Sequence, residues 1–427
     1  MRVLLSGAKY ALLASTALAI STTAYAQESG NDESEAASID GDVVNNDNVI
    51  VVSGFKESLN AAVDAKREAV GQVDVIAAED IGKFPDTNLA ESLQRIPGVA
   101  IERDAGEGRQ ITVRGLGAQF TRVRVNGMET IDEGSLGAVI DLNTGNPLAY
   151  GAGVKLVASA QGRYNDLNEN FSPRVAGLLA WNNADETFGI SSSVAWTKYE
   201  TAELGNNTVR WAQAEFNSVG GVNCPANPAD ADCTAVTNAF HPRIPRYGLV
   251  NHERERLGAT AAIQFRPSDS TDIEINGLYS NFKEDRDEYW GEVLLRSNED
   301  DIDILNYQID GNNNLISADI VNAWIRNERY HRESETDFYQ ISGRLEQRFG
   351  DDFTMRLLGG ISESDAQIPV ETTIIFDDRD GTYSYDYTNM GFPVLAFGTD
   401  VTNPGNFQLA EFRDRPSLVN NKLHSIK

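Results

Sequence analysis

From Gly151 onward the chain alternates between apolar and polar positions. Leu257, Ala259, Ala261, Ile263 and Phe265 fall on one face of an extended segment, with Arg256, Thr260, Gln264 and Arg266 on the other. Phe188, Ile190, Val194 and Trp196 alternate in the same way with Gly189, Ser191, Ser193 and Thr197. Tyr339, Ile341, Gly343, Leu345 and Phe349 alternate with Gln340, Ser342, Arg344, Glu346 and Arg348, and Phe353, Met355, Leu357 and Ile361 oppose Thr354 and Arg356. A period of two predicts strands with one buried and one solvated side. Similar patterns over 154–164, 175–181 and 273–282 bring the number of predicted strands to seven. Each is long enough to cross a bilayer at a tilt.

The connections sharpen this reading. Asn183–Glu186, Ser268–Thr271 and Gly350–Asp352 are tight polar turns, whereas 201–254 and 288–335 read as long polar loops. Only the first of the far-side connections, around 166–170, is short. Short turns at one end and long loops at the other predict an antiparallel transmembrane barrel, and a soluble sandwich gives no reason for that alternation.

The residues before Gly151 have a different texture. A helical spacing runs over Lys56–Ala69, a strand over Val73–Ala77 and a second short helix over Asn88–Arg95, closed by Pro97-Gly98. Short strands follow at 99–103, 110–114 and 122–125, and Asn126-Gly127 is a hairpin turn signal. These features predict a small mixed α/β domain over 55–150. Ahead of it, 27–46 is acidic and aperiodic and is expected to be disordered. Val49-Ile50-Val51-Val52-Ser53, within 47–54, is an isolated β-branched run suited to adding onto another protein's sheet edge. Residues 1–26 have Arg2 and Lys9, an apolar core over 10–20 and Ala24-Tyr25-Ala26, which reads as a bacterial secretory signal cleaved near Ala26.

Charge and composition then remove whole classes. A formal net charge of −28 leaves no basic stripe for phosphates, so a nucleic-acid partner is not expected. No apolar run long enough for a membrane helix follows the leader. Cys224 and Cys233, in an oxidising compartment and a polar loop, favour a local disulfide over a metal site. His241, His252, His331 and His424 are scattered and read as loop or surface residues. Asp377-Asp378-Arg379-Asp380-Gly381 lacks the twelfth-position ligand of a calcium loop and reads as a solvated acidic turn. No phosphate loop, nucleophile elbow or metalloprotease motif occurs, so neither catalysis nor a cofactor or metal is expected.

The string from Phe84 to Val99 (FPDTNLAESLQRIPGV), followed by Ile111-Thr112-Val113-Arg114-Gly115 and Val125-Asn126-Gly127, resembles the plug of TonB-dependent outer-membrane receptors. The likeness is to the subfamily found in Caulobacter- and Xanthomonas-type bacteria. It implies a plug domain (55–150) followed by the N-terminal part of a β-barrel (151–427), in the cell outer membrane of a Gram-negative bacterium. It also implies that Val49, Ile50, Val51, Val52 and Ser53 are the TonB box, pairing by backbone with TonB and its inner-membrane energising complex. Arg114 would be the plug arginine that family members lock against barrel acids. The cargo class implied is a scarce nutrient, either a glycan or a siderophore-type ligand. Among loop aromatics that include Phe216 and Tyr247, Trp211, Phe240, Tyr289 and Trp290 are candidates to stack on it.

Two departures from the family pattern stand out. Met128-Glu129-Thr130-Ile131 runs almost directly into Asp132, where family members continue the plug for dozens of residues with a second lock arginine. The predicted strands also fall well short of the 22 of such transporters, and the pattern stops at His424–Lys427. These departures set up the alternative expectations: a truncated, non-transporting receptor product, or a passive porin-like channel. The porin version is disfavoured by 49–53 and by 84–99.

Overall fold

The computed structural model describes residues 89–426, apart from 95, 97, 105–106, 130–137, 145 and 351. The leader, the acidic tail, the run at 49–53, the helix over 56–69, the strand over 73–77 and the shortened plug segment near 131–132 lie outside the described residues.

The described part of the small domain begins with helix α1 (Leu89–Leu93) and the antiparallel hairpin of β1 (Val99–Asp104) and β2 (Glu107–Val113). Strand β3 (Thr121–Val125) lies between β4 (Met128–Glu129), antiparallel to it, and β5 (Ala138–Leu142), parallel to it. Asn126 and Gly127 take φ values of 51° and 77°. A two-residue hairpin turn needs both central residues in that left-handed region, which Asn-Gly supplies at low strain. Met128 and Val125, beside the turn, are buried.

The rest is one long antiparallel sheet. Its principal strands are β6 (Gly153–Asn165), β7 (Asn170–Asn182), β8 (Phe188–Asn207), β13 (Arg246–Ser268), β14 (Thr271–Leu294), β16 (Leu315–Phe349), β17 (Phe353–Asp386) and β20 (Ser417–Ile426). They pair in that order, and β6 and β20 are its outer strands, so the sheet is not closed. Two-residue strands β9 to β12 (Trp211–Ala212, Ser218–Val219, Val222–Asn223, His241–Pro242) and β15 (Asp303–Ile309) belong to the loops. Strands β18 (Val394–Phe397) and β19 (Gln408–Asp414) pair along β17.

Alternation sets what each side of the sheet meets. Near the tight turns one face carries exposed Ile190, Val194, Ile263, Phe265, Ile275, Ile341, Leu357 and Ile361. Trp181, Phe188 and Phe265 pack edge-on at the turn end, with centroids 6.2 and 6.5 Å apart. At the other end Trp196 donates to Glu255 and Tyr279 to Asp337. The band between these aromatics is about ten residues deep, the length lipid requires of a tilted strand. The opposite face is polar and buried, as at Gln264, Asn276, Gln340 and Ser342. Among the described residues no helix is long and apolar enough to cross a membrane.

Three expectations change. The stretch 288–335 is not mainly loop, since β14 runs on to Leu294 and β16 begins at Leu315, and the loop expected over 201–254 is confined to 208–245, since β8 runs on to Asn207 and β13 begins at Arg246. Beyond the apolar band both faces are charged, so period-two hydrophobicity disappears while the ladder continues. Cross-strand pairs such as Lys198–Glu253 and Arg329–Asp287 take its place. An eighth principal strand, β20, pairs with 359–368 of β17. It lacks alternation, because Leu418 and Val419 are adjacent. Finally, Asp377–Gly381 lies within β17 rather than in a solvated turn, and Asp377 accepts from Arg326 at 2.8 and 3.1 Å.

What remains of the loops folds on its own core. Phe216, Val219, Val236, Leu295, Ile302 and Ile304 bury against Val293, Ile320 and Ile325 of the strands. Helix α2 (Ala231–Asn238) is capped by Asp230, and Cys233 on it is disulfide-bonded to Cys224. His241, expected in a loop or at a surface, lies in the loops but is buried there, its ring 5.0 Å from that of Phe216, and burial lowers its pKa.

Candidate functional site: the contact of plug and sheet

On β13 the residues facing away from the apolar band are Arg254, Arg256 and Gln264, and on β14 they are Phe282 and Glu284. Glu107, the first residue of β2, meets them. Its carboxylate accepts from Arg256 at 2.9 and 2.7 Å, one bond on each oxygen, and from Arg254 at 3.1 Å. Arg254 donates in turn to Glu284 at 2.7 Å, and His252 lies 3.4 Å from that carboxylate. Glu107 and Arg254 are each 1% exposed. A buried carboxylate is tolerated only when it is paired and hydrogen-bonded. Here two carboxylates offset two guanidiniums, and Arg256 also stacks over Phe282 at 4.8 Å.

Neutral bonds extend the seam. Leu148 N donates to Gln264 Oε1 at 3.2 Å, and Asn182 Nδ2 donates to the carbonyls of Pro147 and Gly151 at 2.8 and 2.7 Å. The 3₁₀ turn Pro147–Tyr150 thus ties the end of the small domain to β7 and β13.

Arg114 does not occupy this seam. Its φ of 52° places it in a turn, its backbone N–H donates to Gly98 O at 2.7 Å, and its exposed side chain lies over Gly98. In the Glu107 cluster the acid is on the plug and two arginines are on the wall, while the plug's Arg109 acts on the wall acid Glu284. The sequence held one usable sign: Arg254 and Arg256, two apart, share the face turned away from Leu257 and Ala259. Glu107 itself, in a Gly-rich turn, has no such mark. His252, expected at a surface, is 3% exposed inside the cluster.

The four aromatics do not converge. Tyr289 and Trp290 are successive residues of β14 and point to opposite faces. Trp290 is buried under Arg246, 4.0 Å from its ring, and donates to Glu288. Tyr289 is exposed near Arg329. Trp211 packs edge-on against Tyr387 at 5.4 Å in the loop core, and Phe240 is exposed in the loop beside it. His331 lies 3.3–3.6 Å from half-buried Asp287 and from exposed Asp285 and Glu333.

Residues 65–151 match the family model described as TonB-dependent Receptor Plug Domain, so the chain carries a plug domain of that family. Among solved structures, the chain is similar to the siderophore receptor PirA from Acinetobacter baumannii. That likeness is at 12% identity and a TM-score of 0.27, covering 77% of this chain and 60% of the other. The chain thus spans about 60% of that receptor's length.

Proposed function

We propose that the protein is a TonB-dependent receptor of the outer membrane, importing a scarce nutrient, a glycan or siderophore-type compound, with energy transmitted by TonB. The observation that carries the reading is the joining of a matched plug domain at 65–151 to strands with a lipid-deep apolar band. The plug meets those strands on their polar face, where a lumen belongs. Val49–Ser53 precedes the plug on a tail and serves as the strand that TonB captures. Pulling on it loosens the plug and opens a path.

The test uses the full chain and the periplasmic domain of TonB. Val51→Pro removes a backbone donor and fixes φ, so co-purification with TonB is lost, whereas Val51→Ala keeps it. Equal binding by both variants overturns the coupling role of this segment.

A further inference from the structure

Three chain segments meet where β8 and β14 end and β13 begins, and each brings an arginine. The rung after the Pro242–Trp211 pair sets Arg243 opposite Arg210, with the Arg243 N–H donating to Arg210 O at 3.1 Å. On its other side Arg243 O accepts from Leu295 N at 2.9 Å, one residue before Arg296. Like charges placed directly across a ladder destabilise it. Burial and the charges of Arg210 and Arg296 lower the pKa of Arg243, and Glu299 offsets only part of that. Among the described residues none of the three guanidiniums makes an ion pair, a side-chain hydrogen bond or a ring contact. Other arginines at this end of the sheet are matched: Arg246 with Glu292, Arg326 with Asp377 and Arg413 with Glu411. In a chain with 64 acidic residues against 36 basic ones, acids to match these three were not lacking.

We propose that Arg210, Arg243 and Arg296 form a binding site for a soluble phosphate-bearing compound. A guanidinium presents its N–H groups as a fork that matches the oxygens of carboxylates and phosphates. One fork satisfies a carboxylate, as Arg326 does Asp377 at 2.8 and 3.1 Å. Three forks, only partly offset by Glu299, suit a group of higher charge. A phosphate ester offers three acceptor oxygens and about two negative charges near pH 7. Height selects the source. Eleven residues of β13 separate Arg246 from Leu257, at the upper edge of the apolar band. That is about 36 Å along the strand, and about 25 Å of height at a tilt of about 45°. Headgroups extend only about 5–8 Å beyond the hydrocarbon, so the ligand comes from solution rather than from a lipid. The site goes beyond the receptor reading and stands without it.

The test is calorimetric titration of the purified full chain with inorganic pyrophosphate in a chloride buffer, with sodium acetate at equal ionic strength as control. Pyrophosphate is expected to bind with a dissociation constant below about 1 mM, and acetate to give no saturable heat. Arg243→Gln and Arg296→Gln lie on separate segments, so one variant still reports if the other misfolds. Each is expected to weaken binding about tenfold or more, the effect of losing a bond to a charged group. Arg243→Gln also removes the repulsion, so its melting midpoint without ligand rises above that of the unsubstituted chain. An arginine that merely supports the fold would lower the midpoint on its loss and leave affinity unchanged. No saturable heat with pyrophosphate, acetate binding of equal strength, or unchanged affinity in both variants overturns the site. Micelles carrying phosphatidic acid that compete as strongly as pyrophosphate, where phosphatidylcholine does not, overturn the soluble source.

Discussion

The two sides of the plug are built from different physics. Toward β7 and β13 the contact is a seam of direct bonds, with Glu107 on two arginines and backbone groups of Pro147, Leu148 and Gly151 on Asn182 and Gln264. Toward β14, β16 and β17 the plug's turn faces amides, hydroxyls and a mutually satisfied Glu274–Arg344 pair across a cavity. The first side fixes position, and its cost of burial is recovered only while every partner is present. Among the described residues the second makes no direct ion pair between plug and wall, its Glu274–Arg344 pair being within the wall.

The largest test of that contrast is Glu107→Ala. It leaves Arg254 with Glu284 as its carboxylate partner and Arg256, whose side chain is 31% exposed, without Glu107, which costs about 3 kcal/mol of plug docking. Limited proteolysis is expected to release the plug while the sheet stays protected. An unchanged cleavage pattern breaks the comparison. Glu292 supplies a control, since it is also buried on β14 but lies beyond the apolar band and holds Arg246 and Arg326 only at 3.4 and 3.9 Å. Burial pushes its pKa up to about 7, helped by Glu328. A carboxyl raised in the folded state loses stability as pH climbs from its unfolded value, near 4.5, through 7. Glu292→Gln is therefore expected to stabilise by about 2 kcal/mol at pH 8, a gain that shrinks to nothing near pH 4.5. Thermal unfolding at the two pH values reads the difference. On the loose side, Gly127→Ala adds a Cβ 2.8 Å from a Leu358 methyl at a φ of 77°. A cost of about 1–2 kcal/mol is expected, and adding Leu358→Ala relieves the clash but not the strain.

How much of this was legible follows from what makes each part form. The apolar band was readable because Ile263 and Phe265, or Ile341 and Leu345, must alternate with polar partners to satisfy both sides. The strands' upward continuation was not, since hydrogen bonding along Glu253–Arg256 and Asp285–Glu288 leaves no hydrophobic trace. The Asn126-Gly127 turn was read from local conformational preference alone. Glu107 escaped because its meaning lies 147 residues away, at Arg254. The aromatic pair Tyr289-Trp290 misled for the opposite reason: adjacency in sequence places side chains on opposite faces in a strand.

The Glu107 cluster has a mechanical meaning as well. Its two arginines sit two residues apart on a single strand, so the share of a load that passes through Glu107 arrives at one rung of the wall. Bonds that share a load in parallel fail together, at a threshold. Below that pull the domain stays seated, and above it all three carboxylate bonds part in one event, which makes this contact a fuse rather than a spring.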